Sequence, residues 1–129
     1  MTELTTHTVD VPGAVLTYDV HEPEEPGDHR SLFIFGSPMG ASGFEQLVSH
    51  FRDRTVITYD PRGMERSTRT PGGELTAETH AEDYHRVSEA AGLGLVDAFG
   101  SSGGAMCALH WAVAHPEDIH TLVSTSPLW

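Results

Sequence analysis

The chain has 129 residues, enough for one domain with a core, and 38% hydrophobic against 20% charged residues is a globular composition, not a disordered one. Its formal net charge of −12, from 19 acidic and 7 basic residues, argues against nucleic acid or an anionic membrane as the main partner, because both are bound through clustered Lys and Arg. Cys107 is the single cysteine, so no intrachain disulfide can form; the polar start and the lack of any membrane-length apolar run lead to the expectation of a cytoplasmic protein.

Residues 6–11 and 15–20 read as two extended segments around Pro12-Gly13, hence a hairpin. The polar stretch 21–30, with two prolines and a glycine, reads as a loop. Residues 31–35 form a short continuous apolar run, the pattern of a strand buried on both faces of a parallel sheet, and the small-residue loop 36–43 ends it. Phe44, Leu47, Val48 and Phe51 share one face of a helix. Residues 55–59 are a second buried strand, broken by Asp60-Pro61-Arg62-Gly63, and loop continues to residue 74. Thr76 can cap a helix that reaches Ala91 with His80, Tyr84, Val87 and Ala91 inward, and Gly92 ends it. A strand over 93–99, a tight turn over 100–104, an apolar helix over 105–115 and a fourth parallel strand over 119–125 follow. This alternation predicts an α/β fold: a mostly parallel sheet with flanking helices behind an N-terminal hairpin.

Gly100-Ser101-Ser102-Gly103-Gly104 matches G-x-S-x-G with Ser102 at its centre, between a buried strand and an apolar helix. A nucleophile on such a turn sits in strained backbone with its hydroxyl projecting, and the residues two before and two after it must be small. The helix that follows points its first amides at the place where negative charge develops during acyl transfer. The Gly103 amide is one candidate oxyanion donor. The second is the Ser37 amide in the loop after the earlier strand, since Pro38 has no N–H to give.

In this order of elements the sequence resembles the α/β-hydrolase superfamily, its esterase-like and haloperoxidase-like members in particular. Phe35-Gly36-Ser37-Pro38 is similar to the family's H-G-x-P oxyanion loop, with Phe35 in place of the usual histidine, and Asp60 to Gly63 resembles its D-x-R-G turn. The resemblance implies a hydrolase of ester-like acyl bonds, with Ser102 as nucleophile, Gly103 and Ser37 as oxyanion amides, and no cofactor. A serine at the elbow sets it apart from the dehalogenases and epoxide hydrolases, which carry aspartate there.

Family members follow the serine with further strands, an acid and a histidine, whereas 27 residues follow Ser102 here. Residues 1–129 are therefore expected to be a single, incomplete domain, its last strand an open edge with Leu128 and Trp129 exposed. A second copy or a second chain would complete it around a small acyl substrate. His110 lies about 12 Å down the helix from Ser102, too far for a bond of about 3 Å. With no base beside it a serine hydroxyl is a weak nucleophile, so little turnover is expected from the chain alone. No metal site is expected either: His110, His115 and His120, like His80 and His85, are spaced by five, and such neighbours diverge by about 140° on a helix. Two rival readings remain: a small-ligand-binding or interaction module without turnover, and, more distantly, an anion-binding turn that has no Lys or Arg beside it.

Overall fold

Pro12 and Gly13 form the first turn, with Gly13 at φ +80°, and join strand β1 (Glu3–Val11) to strand β2 (Ala14–Glu22) in antiparallel register from Val11↔Ala14 to Glu3↔Glu22. The computed structural model describes residues 3–24, 28–37, 39–72 and 75–125; Pro38, Leu128 and Trp129 lie outside them. The hairpin is longer than the apolar pattern predicts. Residues 21 and 22 belong to β2 and not to a loop, because both pair with β1 and His21 also pairs with strand β4 (Val56–Tyr59), which runs antiparallel along the far edge of β2 from Tyr18↔Tyr59 to His21↔Val56.

Strand β3 (Leu32–Ser37) pairs in parallel with β4 and with strand β6 (Val96–Ser102), and strand β7 (Ile119–Thr125) pairs in parallel with β6. The sheet order is β1-β2-β4-β3-β6-β7, an antiparallel hairpin on a parallel sheet, as the strand–helix alternation predicts. One strand was not foreseen: β5 (Thr68–Arg69) runs antiparallel to the start of β2. Side-chain bonds hold it there, since Ser67 Oγ accepts from the Thr17 amide at 2.9 Å and donates to the Asp60 carbonyl at 2.6 Å.

Alternation along β3 splits the core. Phe33 and Phe35 face one side with Tyr59, Tyr84, Val87 and Trp111, under helices α2 (Ala77–Ala91) and α3 (Gly103–Ala114). Leu32 and Ile34 face the other with Phe44, Val48 and Val56. On that second side the expected amphipathic helix is a 3₁₀ turn (Ala41–Phe44) and one α-turn, α1 (Glu45–Val48), after which Ser49 Oγ donates to the Gln46 carbonyl. Phe44, Leu47, Val48 and Phe51 still pack together, so the apolar face was legible where the helix length was not.

Thr76 caps α2 by accepting from the Thr79 amide at 3.1 Å, and Gly92, at φ +67°, ends it in the left-handed conformation. No described helix is long and apolar enough to cross a membrane. Asp83 on the inner face of α2 is almost wholly buried and receives both Nε and Nη2 of Arg62 at 2.8 Å. This pair ties α2 to the turn after β4. Removing one partner strands a buried charge, so Arg62→Ala should lower unfolding free energy in urea by about 3–5 kcal/mol. A midpoint within experimental error of wild type would mean that the pair holds nothing.

Candidate active site

The junction of β6 and α3 is where the backbone is tightest. Ser102 ends the strand and caps the helix at φ 56°, ψ −121°, a conformation that costs a side-chain-bearing residue about 1–3 kcal/mol. The crowding around it explains the glycines. A Cβ on Gly100 would stand 2.9 Å from the Gly104 carbonyl oxygen, and one on Gly104 would stand 3.0 Å from Gly36 Cα and 3.2 Å from the Phe35 oxygen. Helix α3 thus leans directly on the backbone of β3, and only residues without side chains allow it. The helix begins at Gly103, two residues earlier than the apolar pattern predicts, so its first unpaired amides stand immediately after Ser102. There the helix dipole favours an anion.

The pairing of β3 with β6 runs through Gly36↔Ser101 to Ser37↔Ser102. Gly36 and Ser37 are therefore strand and not loop. The register brings Ser37 opposite Ser102, with Gly103 next along the chain, so the three candidate residues meet at one sheet end.

What braces that end is Asp60, which sequence reasoning placed only in a turn. Its buried carboxylate accepts from the Ala41 amide at 2.9 Å and from Arg66 Nε at 2.7 Å. A Cβ on Gly40 would come 2.9 Å from the same carboxylate. Arg66 reaches on to Asp19 of β2 through both terminal nitrogens, at 3.0 and 2.8 Å. One guanidinium therefore connects the hairpin, the end of β4 and the segment after β3. The fork geometry of arginine suits this bridging of two carboxylates.

Among the described residues the Ser102 hydroxyl, which is exposed, has no hydrogen-bond partner. His110 faces Glu78 at 3.7 Å, and His120 lies 3.2 Å from Asp97 at the opposite end of β6. His80 is buried with Nδ1 unpartnered, and burial holds it below the usual imidazole value against the opposing charge of Asp83. Cys107 is no rival nucleophile: burial pushes its thiol up, and it packs in the core.

A family model described as the alpha/beta hydrolase fold matches residues 32–129. YraK, a hydrolase of Bacillus subtilis, is 32% identical over 123 residues, covering 94% of this chain and 44% of its own length. RutD of Caulobacter vibrioides, which is named for carbamate hydrolysis, is 31% identical over 126 residues, covering 95% and 45%. Among solved structures, proline iminopeptidase of Mycobacterium smegmatis is similar with a TM-score of 0.83 at 27% identity, over 95% of this chain and 44% of that one. The epoxide hydrolase CorEH has a TM-score of 0.78 at 21% identity, over 95% and 42%, a likeness of fold alone. The chain thus spans under half the length of the curated relatives it matches.

Two measurements probe this geometry. Ser102→Gly and Ser102→Ala both remove the hydroxyl, but only glycine relaxes at positive φ, so the glycine variant should be the more stable in urea by about 1–3 kcal/mol. Equal midpoints would show that the elbow stores no strain. For Asp19, burial alone would raise the carboxyl, but the hydrogen bonds from Arg66 and Thr6 outweigh it and the net shift is downward. Its stabilisation is then complete above the unfolded value of about 3.9 and is lost as pH falls through the lower folded value. The gap in stability between wild type and Asp19→Asn should accordingly close below about pH 4; a gap that widened there would reverse the assignment.

Proposed function

The chain belongs to the alpha/beta hydrolase fold family, and on that footing we propose that it carries the nucleophile and oxyanion half of a serine hydrolase acting on ester-like acyl bonds. Ser102 Oγ attacks the acyl carbonyl, and the amides of Gly103 and Ser37 receive the negative charge that forms on its oxygen. The hydroxyl proton passes to a base and then to the departing alcohol; water next cleaves the acyl-serine bond and restores Ser102. The base and the acid that orients it come from outside the described residues, in a partner chain, a second copy or further sequence. The substrate is a small acyl compound.

The observation that carries this reading is Ser102 held at φ 56° between Gly100 and Gly104 at the mouth of α3. An ordinary packing turn has no reason to keep a serine where glycine is less strained. A second reading, a ligand-binding module without turnover, is favoured by one fact: among the described residues no imidazole bonds to the Ser102 hydroxyl.

Labelling by a fluorophosphonate probe, with and without added imidazole as a surrogate base, separates the two. The hydrolase reading expects labelling of wild type that imidazole accelerates and that Ser102→Ala abolishes. Folded protein that stays unlabelled at high imidazole, or equal labelling of Ser102→Ala, would discard Ser102 as nucleophile.

A further inference from the structure

At the end of α3 opposite Ser102, about 18 Å away along a twelve-residue helix, separate segments bring metal-ligating groups together. His85 lies on α2, His115 caps α3, and Glu117 and Asp118 follow in the turn into β7. The two imidazoles are stacked with centroids 3.7 Å apart. His85 Nδ1 is 2.7 Å from the Asp118 carboxylate and His115 Nδ1 is 3.3 Å from that of Glu117. One ligand atom from each of the four lies within 4.8 Å of the other three.

The surroundings resemble the outer shell that metal sites need. The second nitrogen of each ring faces another carboxylate, Glu82 at 2.6 Å from His115 Nε2 and Glu89 at 3.7 Å from His85 Nε2. A proton kept on Nε2 by such a partner leaves Nδ1 as the lone-pair donor. Asp118 is in turn oriented by the Trp111 indole N–H at 2.9 Å. A cavity of about 380 Å³, bordered by His85, Glu89, Glu117 and Asp118, gives a hydrated ion access.

Charge points the same way. Four carboxylates surround two imidazoles, while Arg54, Arg62 and Arg66 are committed to Asp97, Asp83, Asp19 and Asp60.

We propose that His85, His115, Glu117 and Asp118 form a divalent metal site that takes Zn²⁺, an ion suited to two imidazoles and two carboxylates, and that staples α2 to the α3–β7 turn. In a tetrahedral site with ligands at about 2.0–2.2 Å, any two ligand atoms stand roughly 3.3–3.6 Å apart, so the outermost pair closes by more than about 1 Å. One ring also tilts out of the stack. Glu117, whose side chain is 65% exposed, is free to make the larger movement.

The test is calorimetric titration of the metal-stripped, tag-free chain with Zn²⁺, with thermal melts alongside. One ion per chain is expected, with a raised Tm, proton release, and tighter binding at pH 7.5 than at pH 6 because the ion displaces protons from Nδ1. Glu117→Gln, at an exposed position, and His115→Gln should each weaken binding by about 10–100-fold or more. His50→Gln, outside the cluster, should leave it unchanged. Co²⁺ should give a visible absorption band that Glu117→Gln alters. Folded wild-type chain that binds no Zn²⁺, or Glu117→Gln and His115→Gln variants that bind as wild type does, would overturn the proposal.

Discussion

The contact on which the rest of the molecule depends is the approach of α3 to the backbones of β3 and β6, made where Gly104 meets Gly36 and Gly100. Because no Cβ intervenes, the helix lies low over the sheet, and Trp111 two turns on reaches the aromatic cluster of Phe33, Phe35 and Tyr84. The same closeness leaves the chain no room to turn from strand to helix gradually. It turns in one residue, Ser102, whose positive φ is the local cost of that turn and is offset by the packing beyond it.

A second constraint is charge. All seven basic residues are arginines, set against 19 acids, so buried carboxylates must share what cations there are. The turn after β4 spends two of them with care. Arg62 holds Asp83 of α2, and Arg66 holds Asp60 and Asp19 together, so α2 and β2 are both tied to residues 60–66. Asp60 then takes the Ala41 amide and steadies the segment that follows β3. At the other end of α3 four carboxylates, Glu82, Glu89, Glu117 and Asp118, face two histidines.

Much of this was legible beforehand, for reasons specific to each residue. The parallel sheet announced itself through unbroken apolar runs, the elbow through two glycines at fixed distances from a serine, and α2 through Thr76 and Gly92 at its ends. What escaped were strand ends and short pieces. Residues 21 and 22, Gly36, Ser37 and β5 are strand because a neighbour pairs with them, and nothing in their own side chains says so. The predicted helix around Phe44 kept its face and lost its length, as one apolar stripe can be served by a single turn.

By itself the sequence determined the local conformations that particular residues compel: the Pro12-Gly13 turn, the caps of α2, and the requirement for small residues about Ser102. Tertiary structure alone decided which distant groups meet. Spacing by five separates His80 from His85 within α2, but it does not apply to His120, which lies in β7, and it cannot see His85 and His115 arriving from different helices to stack at 3.7 Å. Nor could it see one guanidinium joining Asp19 to Asp60. Backbone preference acts over a few residues and is written in them, whereas a side-chain cluster depends on the register and crossing of elements that only the packed sheet sets.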